Sequence, residues 1–204
     1  MPRERQQRVV SRETSDQLAT YYALLAQWSK KINLTSAAEV MIRSGRPTCE
    51  GLKLCEASLR GGNWYDVGSG GGLPGIIIAI LLGPRRRVTL VESDSRKCAF
   101  LRRVRRELQL NLDVVNARAE ALLGQRAETI SAQALAPLTT LLDITEELRC
   151  PSTEHLFPKG RNWHEEVGVA RQEWNFDLES IPSPTEEGAA ILRLTNVRRL
   201  HNAS

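Results

Sequence analysis

Trp64-Tyr65-Asp66-Val67-Gly68-Ser69-Gly70-Gly71-Gly72-Leu73-Pro74-Gly75 is the stretch from which the rest of the chain is read. Trp64 to Val67 has the apolar character of a buried strand end, and the glycines that follow make a turn. Ile76-Ile77-Ile78-Ala79-Ile80-Leu81-Leu82 then continues a helix that begins near Pro74 and stops at Gly83-Pro84. Glycine accepts positive φ and lets a ligand lie against the main chain without meeting a Cβ. The unpaired N–H groups at the start of the next helix favour electron-rich ligand atoms. Strand, glycine turn and helix together predict a nucleotide-type binding element.

Outward from this turn the chain alternates strand-like and helix-like segments. The strand candidates are Trp64–Val67, Val88–Glu92, Val114–Ala117, Thr129–Ala132 and His155–Pro158, with helical patterns near 74–82, 95–109, 119–123 and 138–149 between them. Five strands separated by helices predict βαβ units and a parallel sheet. A helical stretch, Trp163 to Glu173, then precedes two strand-like runs, Phe176–Ile181 and Ala189–Thr195, joined by Pro182-Ser183-Pro184-Thr185-Glu186-Glu187-Gly188. The fold class is therefore α/β, a Rossmann-like, mostly parallel sheet closed by a C-terminal antiparallel hairpin.

On the N-terminal side, Ser11 is placed to cap a helix in which Leu18, Tyr21, Leu25, Trp28 and Ile32 recur at steps of three and four. Such a stripe predicts core packing against the main domain. Asn33-Leu34-Thr35-Ser36 ends that helix. Ala37 to Ile42 and Glu50 to Leu59 carry further helical patterns, with Gly45-Arg46-Pro47 as a break between them. The expected organisation is an N-terminal helical extension, residues 1–60, packed on one ligand-binding domain, residues 61–204.

Composition narrows the class. With 204 residues, 41% hydrophobic and 25% charged, the chain is long enough to bury a sizeable core and ordinary for a globular protein. The longest apolar run, Ile76 to Leu82, is too short to span a bilayer, and Met1-Pro2-Arg3-Glu4-Arg5 does not read as a secretory signal. Cys49, Cys55, Cys98 and Cys150 fall in no C-x-x-C arrangement and there are 3 histidines, so no metal site is expected and the chain reads as a reduced, cytoplasmic protein. The net charge of +4 is unevenly spread: nine basic residues between Arg85 and Arg106 face only Glu92 and Asp94. Localised positive charge suits a phosphate-backbone partner, or else marks a solvated helix face.

In an open parallel sheet, ligands lie at the carboxyl ends of the strands near the switch point. Glu92 follows Gly68 by 24 residues, the spacing of an acid that accepts hydrogen bonds from a ribose diol, while Ser93 and Asp94 serve the cap of the next helix. Two readings of the glycines compete. Gly70-Gly71-Gly72-Leu73-Pro74-Gly75 satisfies the G-x-G-x-x-G dinucleotide pattern. Asp66-Val67-Gly68-Ser69-Gly70-Gly71-Gly72 matches the acidic-x-G-x-G-x-G turn of S-adenosylmethionine-dependent methyltransferases. If its carboxylate faces the ligand, Asp66 would repel a diphosphate and tolerate a cationic methionine end; otherwise it is a structural acid holding the turn. After the third strand, Asn116-Ala117-Arg118-Ala119-Glu120 offers groups for an adenine amino group, and Glu120 taken singly reads equally as a surface residue.

Taken together, these segments resemble the RsmG (GidB) methyltransferases, which methylate N7 of a guanine in bacterial small-subunit ribosomal RNA. The resemblance runs through Val10 to Thr14, Trp28 to Thr35, Asp66 to Gly75, Val91-Glu92-Ser93 with Lys97 and Ala99-Phe100-Leu101-Arg102, Ile130 to Ala136, and Leu156-Phe157-Pro158-Lys159-Gly160. It implies a class I methyltransferase sheet with S-adenosylmethionine as cofactor and 16S ribosomal RNA, or the small ribosomal subunit, as partner. Asp66, Gly68, Ser69, Gly70, Leu73, Glu92, Ser93, Ala119, Glu120 and Gln133 are the cofactor candidates. Lys159 and the basic helix with Arg96, Lys97, Arg102, Arg103 and Arg106 are the RNA candidates, with Leu101, Val104 and Leu108 expected to point inward. No catalytic acid or base is assigned. Two departures from the family stand out: Gln133 stands where arginine is usual, and where an Arg-His…Asp-Ser pattern is usual the chain reads Arg46-Pro47-Thr48-Cys49-Glu50-Gly51, without the histidine and serine. These departures keep open a catalytically weakened RNA-binding relative, and the glycine pattern keeps open a dinucleotide-dependent oxidoreductase.

Overall fold

The computed structural model describes residues 11–32, 34 and 44–200. Helix α1 (Arg12–Ser29) is capped by Ser11, whose hydroxyl accepts from the Thr14 N–H. Helix α2 (Arg46–Ala57) leads into β1 (Trp64–Val67), α3 (Gly75–Leu82), β2 (Val88–Glu92), α4 (Ser95–Glu107), β3 (Leu112–Asn116) and β4 (Thr129–Ser131). The chain continues with α5 (Leu138–Ile144), β5 (Glu154–Lys159), α6 (Trp163–Ala170), β6 (Trp174–Pro182) and β7 (Ala190–Arg199).

The seven strands form one sheet in the order β3-β2-β1-β4-β5-β7-β6. The first five are parallel, and β7 runs antiparallel to both β5 and β6. The chain walks outward from β1 to β3, then crosses back to β4 on the other side of β1. That reversal places a crevice at the carboxyl ends of β1 and β4, directly after the glycine turn.

The expected architecture is present, with local differences. Gly45 breaks the helical pattern as expected, a left-handed residue at φ +66° between the helical Ser44 and α2, but Arg46 and Pro47 already belong to the first turn of α2, where proline loses no helical hydrogen bond. Strand β3 starts at Leu112, and the expected helix at 119–123 is a single 3-10 turn, Ala119–Ala121. The pattern over 138–149 divides into α5 and a 3-10 turn at Glu146–Leu148. The expected helix over 37–42 lies outside the described residues.

Both faces of the sheet are covered. Trp64, Leu90, Leu112 and Leu156 pack with Leu18, Tyr21 and Leu25 of α1, Leu54 of α2, Ile76 to Ile80 of α3 and Phe100, Leu101 and Val104 of α4. Tyr65, Val67, Val91, Ile130 and Phe157 face the other way, onto α5, α6 and Trp174. Successive strand residues alternate between these cores. Gly51 brings α2 against α3, since a Cβ there would lie 2.5 Å from Ile77 Cγ2.

A polar knot closes the amino end of the sheet. The fully buried Glu154 carboxylate accepts from Ser58 Oγ (2.6 Å), Leu59 N (3.1 Å), Arg60 N (3.2 Å) and Thr129 Oγ1 (2.8 Å). The Arg86 guanidinium donates to Ser58 Oγ, Thr129 Oγ1 and the Gly62 carbonyl, and lies 4.8 Å from the centroid of the Trp64 ring. The segment after α2 is thereby tied to β4 and β5 by charges that have all found partners.

Candidate active site

The glycine turn is held from three sides. Gly68, Gly70 and Gly72 take φ of +71°, +55° and +89°, a region that L side chains disfavour. The Gly68 and Ser69 N–H groups donate to the Val91 carbonyl at 2.9 and 3.1 Å, which bends the turn over β2. At the tip of β2, Glu92 Oε2 accepts from Gly70 N and Oε1 from Asp94 N, each at 2.8 Å. One carboxylate thus ties the glycine turn to the start of α4, and each oxygen keeps a lone pair for a further donor. From behind, the buried Tyr21 hydroxyl of α1 donates to the Gly71 carbonyl at 2.8 Å, and burial raises its pKa well above the ordinary phenol value. The stripe on α1 therefore fastens the turn as well as filling the core. Periodicity alone could not show that.

Asp66 lies under the turn, not in the crevice. It shares strand parity with Trp64 and lies beneath the first turn of α3, its Oδ2 2.6 Å from where a Cβ on Gly75 would stand. Its Oδ1 accepts from Ser131 Oγ at 2.7 Å, and the same hydroxyl accepts from Trp64 Nε1 at 2.9 Å. Burial pushes the carboxyl up to about 6, against the lowering effect of Ser131. The argument that Asp66 would select against a diphosphate required it to face the ligand, so that argument does not hold. Ser69 is buried too, its hydroxyl donating to the Asp66 carbonyl, and Leu73 packs toward the core.

A crevice of about 550 Å³ opens in front of the turn. Gly68, Gly70, Glu92, Ser93, Ala119, Glu120 and Gln133 line it together, with Lys97 at its edge. Seven of the ten cofactor candidates thus converge; Asp66, Ser69 and Leu73 support the floor. The size suits a nucleoside-containing ligand, and a Cβ at Gly70 would have nothing nearer than the Gly68 carbonyl at 3.8 Å, so its face is open. With the Glu92 carboxylate beside that face, the residues present fit an adenosyl cofactor.

Gln133 also faces a second cavity, of about 450 Å³, at the tips of β4, β5 and β7. The two spaces share Gln133, Ala134, Leu135 and Ala136 as a partition. Ala134 takes φ +52°, and Leu135 lies on the open face of Gly68, its methyls 2.8 Å from where a Cβ would stand. Gln133 Nε2 donates to Glu50 Oε2 at 2.9 Å, so the two departures from the family pattern meet in space. Thr185 of the β6–β7 loop donates to Glu50 Oε1 at 2.8 Å. The sequence marks the segments that hold Glu50 and Leu135 but not these two side chains, and it does not mark Thr185.

Lys159 lines the second cavity but is engaged. Its ammonium donates to Glu166 at 2.7 Å and to the Ala136 carbonyl at 2.7 Å, and Glu166 also accepts from the Leu138 N–H. On α4, Phe100, Leu101 and Val104 are fully buried and the basic residues stand outside, as expected. Arg96 closes on the N-cap Asp94, holding that carboxyl at about 2, and Arg103 pairs with Glu107 at 2.6 Å. Arg102 and Arg106 are exposed without an ion-pair partner among the described residues.

Known proteins share both fold and sequence. The chain resembles a solved S-adenosylmethionine-dependent methyltransferase from Aquifex aeolicus, with a TM-score of 0.58 at 13% identity over 74% of this chain and 92% of that one. It also resembles fibrillarin from Aeropyrum pernix, solved with natively bound S-adenosylmethionine, with a TM-score of 0.52 at 15% identity over 75% and 74%. These likenesses show the fold. In sequence, it is 42% identical over 94% of its length to ribosomal RNA small subunit methyltransferase G of Ruegeria sp. (strain TM1040), covering 95% of that protein. It is 45% identical over 93% to the protein of that name from Paracoccus denitrificans (strain Pd 1222), covering 98%. The family model for rRNA small subunit methyltransferase G matches residues 14–190, from α1 to the last strand, and with the glycine turn and Glu92 both in place the chain belongs to that family.

Proposed function

We propose that the chain transfers a methyl group from S-adenosylmethionine to N7 of a guanine in 16S ribosomal RNA. The observation that carries this reading is the meeting of the Gly68–Gly70 turn and the Glu92 carboxylate at the switch point, in a chain of this family. Glu92 would hold the ribose diol, the backbone at Gly68 and Gly70 the methionine end, and Ala119 with Glu120 the adenine side. When bound, the cofactor supplies a methyl group made electrophilic by its sulfonium. Guanine N7 has a free lone pair and no proton to lose, so no general base is needed. The residues have to place and orient the acceptor and keep water out, and positioning of this kind is worth roughly 7–11 kcal/mol in well-oriented systems.

Arg102, Arg106 and Lys97 are read as phosphate contacts, which places the RNA across α4 and the mouth of the crevice. Arg96, Arg103 and Lys159 are held in ion pairs, and their contribution would come from positioning the elements they tie. Residues 1–60 are read as an N-terminal extension, whose helix α1 supports the glycine turn through Tyr21. The substrate would be 16S RNA or the small ribosomal subunit in the cytoplasm; no helix among the described residues is long and apolar enough to cross a membrane. Transfer of labelled methyl to 16S RNA, or to small subunits lacking the modification, tests the reading. No transfer beside an active control enzyme would refute it.

A further inference from the structure

We infer that the second cavity receives the target base and that Glu50, oriented by Gln133 and Thr185, reads the Watson–Crick edge of guanine and stabilises the charge that methylation creates on it. This rests on the methyl-transfer reading. The cavity and the cofactor crevice share Gln133 to Ala136 in their lining, so a base seated in it would lie beside the space the cofactor would fill. Its walls include Leu135, Pro137, Pro158 and Ile191, apolar surface suited to the faces of a flat heterocycle.

The polar chemistry at the cavity is selective. The Glu50 side chain is 14% exposed, and Gln133 and Thr185 each donate to one of its oxygens. These two hydrogen bonds fix the plane of the carboxylate and leave a lone pair on each oxygen. Arg46 stands 3.7 Å away at the rim, also paired with Glu186 at 3.4 Å, and so balances the charge without covering it. The lone pairs left on this carboxylate accept donors only. Guanine offers N1–H and N2–H on the edge remote from N7, whereas adenine presents an acceptor at N1 and would be repelled.

The same contact strengthens during the reaction. The N7 lone pair would form the new bond to the methyl carbon as the carbon–sulfur bond breaks, sulfur keeping that pair and leaving as a neutral thioether. The base becomes cationic with no change in its proton count, and the positive charge spreads toward N1 and N2. Hydrogen bonds from that edge to a carboxylate become charge-assisted on both sides as the transition state forms. A group bound more tightly in the transition state acts on kcat more than on KM.

The test uses the full chain with small-subunit RNA whose methylated guanine has first been mapped, alongside the same RNA carrying inosine there. Inosine keeps N7 and N1–H and lacks the 2-amino group. Wild-type protein is expected to prefer guanine by about tenfold. Glu50→Gln should lower kcat roughly 100-fold with KM little changed, and should erase the preference. Its affinity for S-adenosylmethionine by calorimetry should stay within twofold of wild type. Thr185→Val should lower kcat severalfold and Thr185→Ser restore it, marking Thr185 as a positioning residue. Unchanged kcat in Glu50→Gln, equal use of inosine by the wild type, or joint loss of cofactor binding and activity would each overturn the assignment. A wild-type protein inactive on every guanine substrate would refute the methyl-transfer reading itself, an outcome distinct from an active enzyme indifferent to Glu50.

Discussion

At the amino end of the sheet the Glu154 carboxylate accepts from four donors, with Arg86 bonded to the same hydroxyls; at the carboxyl end Glu92 and Glu50 each accept from two. Both ends thus use carboxylates to join segments far apart in sequence. The difference lies in what is left over. A saturated carboxylate holds the chain and offers nothing to a ligand, whereas one fixed by two donors is already oriented and still has acceptor capacity. Preorganised but incompletely used polar groups are what a binding site requires.

The largest expected effect breaks the saturated end. Glu154→Ala would leave the Ser58 and Thr129 hydroxyls and the Leu59 and Arg60 N–H groups without their acceptor and remove the carboxylate that balances the Arg86 charge, at a cost of about 3–5 kcal/mol in chemical denaturation. A loss under 1 kcal/mol would mean the knot is not the clamp described. At the open end, Glu92→Ala should weaken S-adenosylmethionine binding about 30- to 100-fold by calorimetry, because it removes the ribose acceptor and releases Gly70 and Asp94. Its unfolding free energy should fall by less than that of Glu154→Ala. If the order reverses, the contrast between the two ends is wrong.

Smaller still is Tyr21→Phe, which strands the buried Gly71 carbonyl and should cost about 1–2 kcal/mol of stability, with a severalfold loss in cofactor affinity. The affinity loss is the informative part, since a helix that only fills the core would not produce it. Least visible at neutral pH are two opposed titrations. His155, fully buried near Phe157, is pushed down from 6.5 to about 3 by burial and by Arg149, against the raising effect of the Leu194 backbone. It stays neutral in the fold while the unfolded chain takes up a proton, so stability is lost as pH falls from 6.5 toward 3. Asp66, raised from 3.8 to about 6, does the reverse: its contribution is complete below 3.8 and is lost as pH rises through 6. Denaturation of wild type between pH 4 and 6 should therefore show a shallow dependence. Asp66→Asn should steepen the acid loss, and His155→Phe should turn the slope so that stability falls with rising pH; unchanged slopes in both would remove the two groups as its source.

Much of the fold was legible because its signals are local. Glycine turn, apolar helix and capping residues each declare themselves within a few positions, and Glu92 follows from strand-to-strand spacing. The misreadings are equally physical. Gly45 is the expected break, but Arg46 and Pro47 suit a first helical turn as well as a loop, and α2 begins with them. Asp66 was attached to the ligand because both faces of a parallel sheet are covered and its strands read as continuous buried runs. The pattern Trp64 to Val67 therefore carries no mark of which core each side chain enters.

The order of elements, the glycine turn and the basic outer face of α4 were determined by the sequence alone, through short-range periodicity and backbone preference. Tertiary structure decided the rest: that Asp66 supports and Glu92 faces the crevice, that Tyr21 holds Gly71, and that Gln133 meets Glu50 across 83 positions of chain. Such pairings depend on how distant segments are brought together by sheet order and helix packing. A hydrogen bond spanning that separation leaves no periodic trace in either segment it joins.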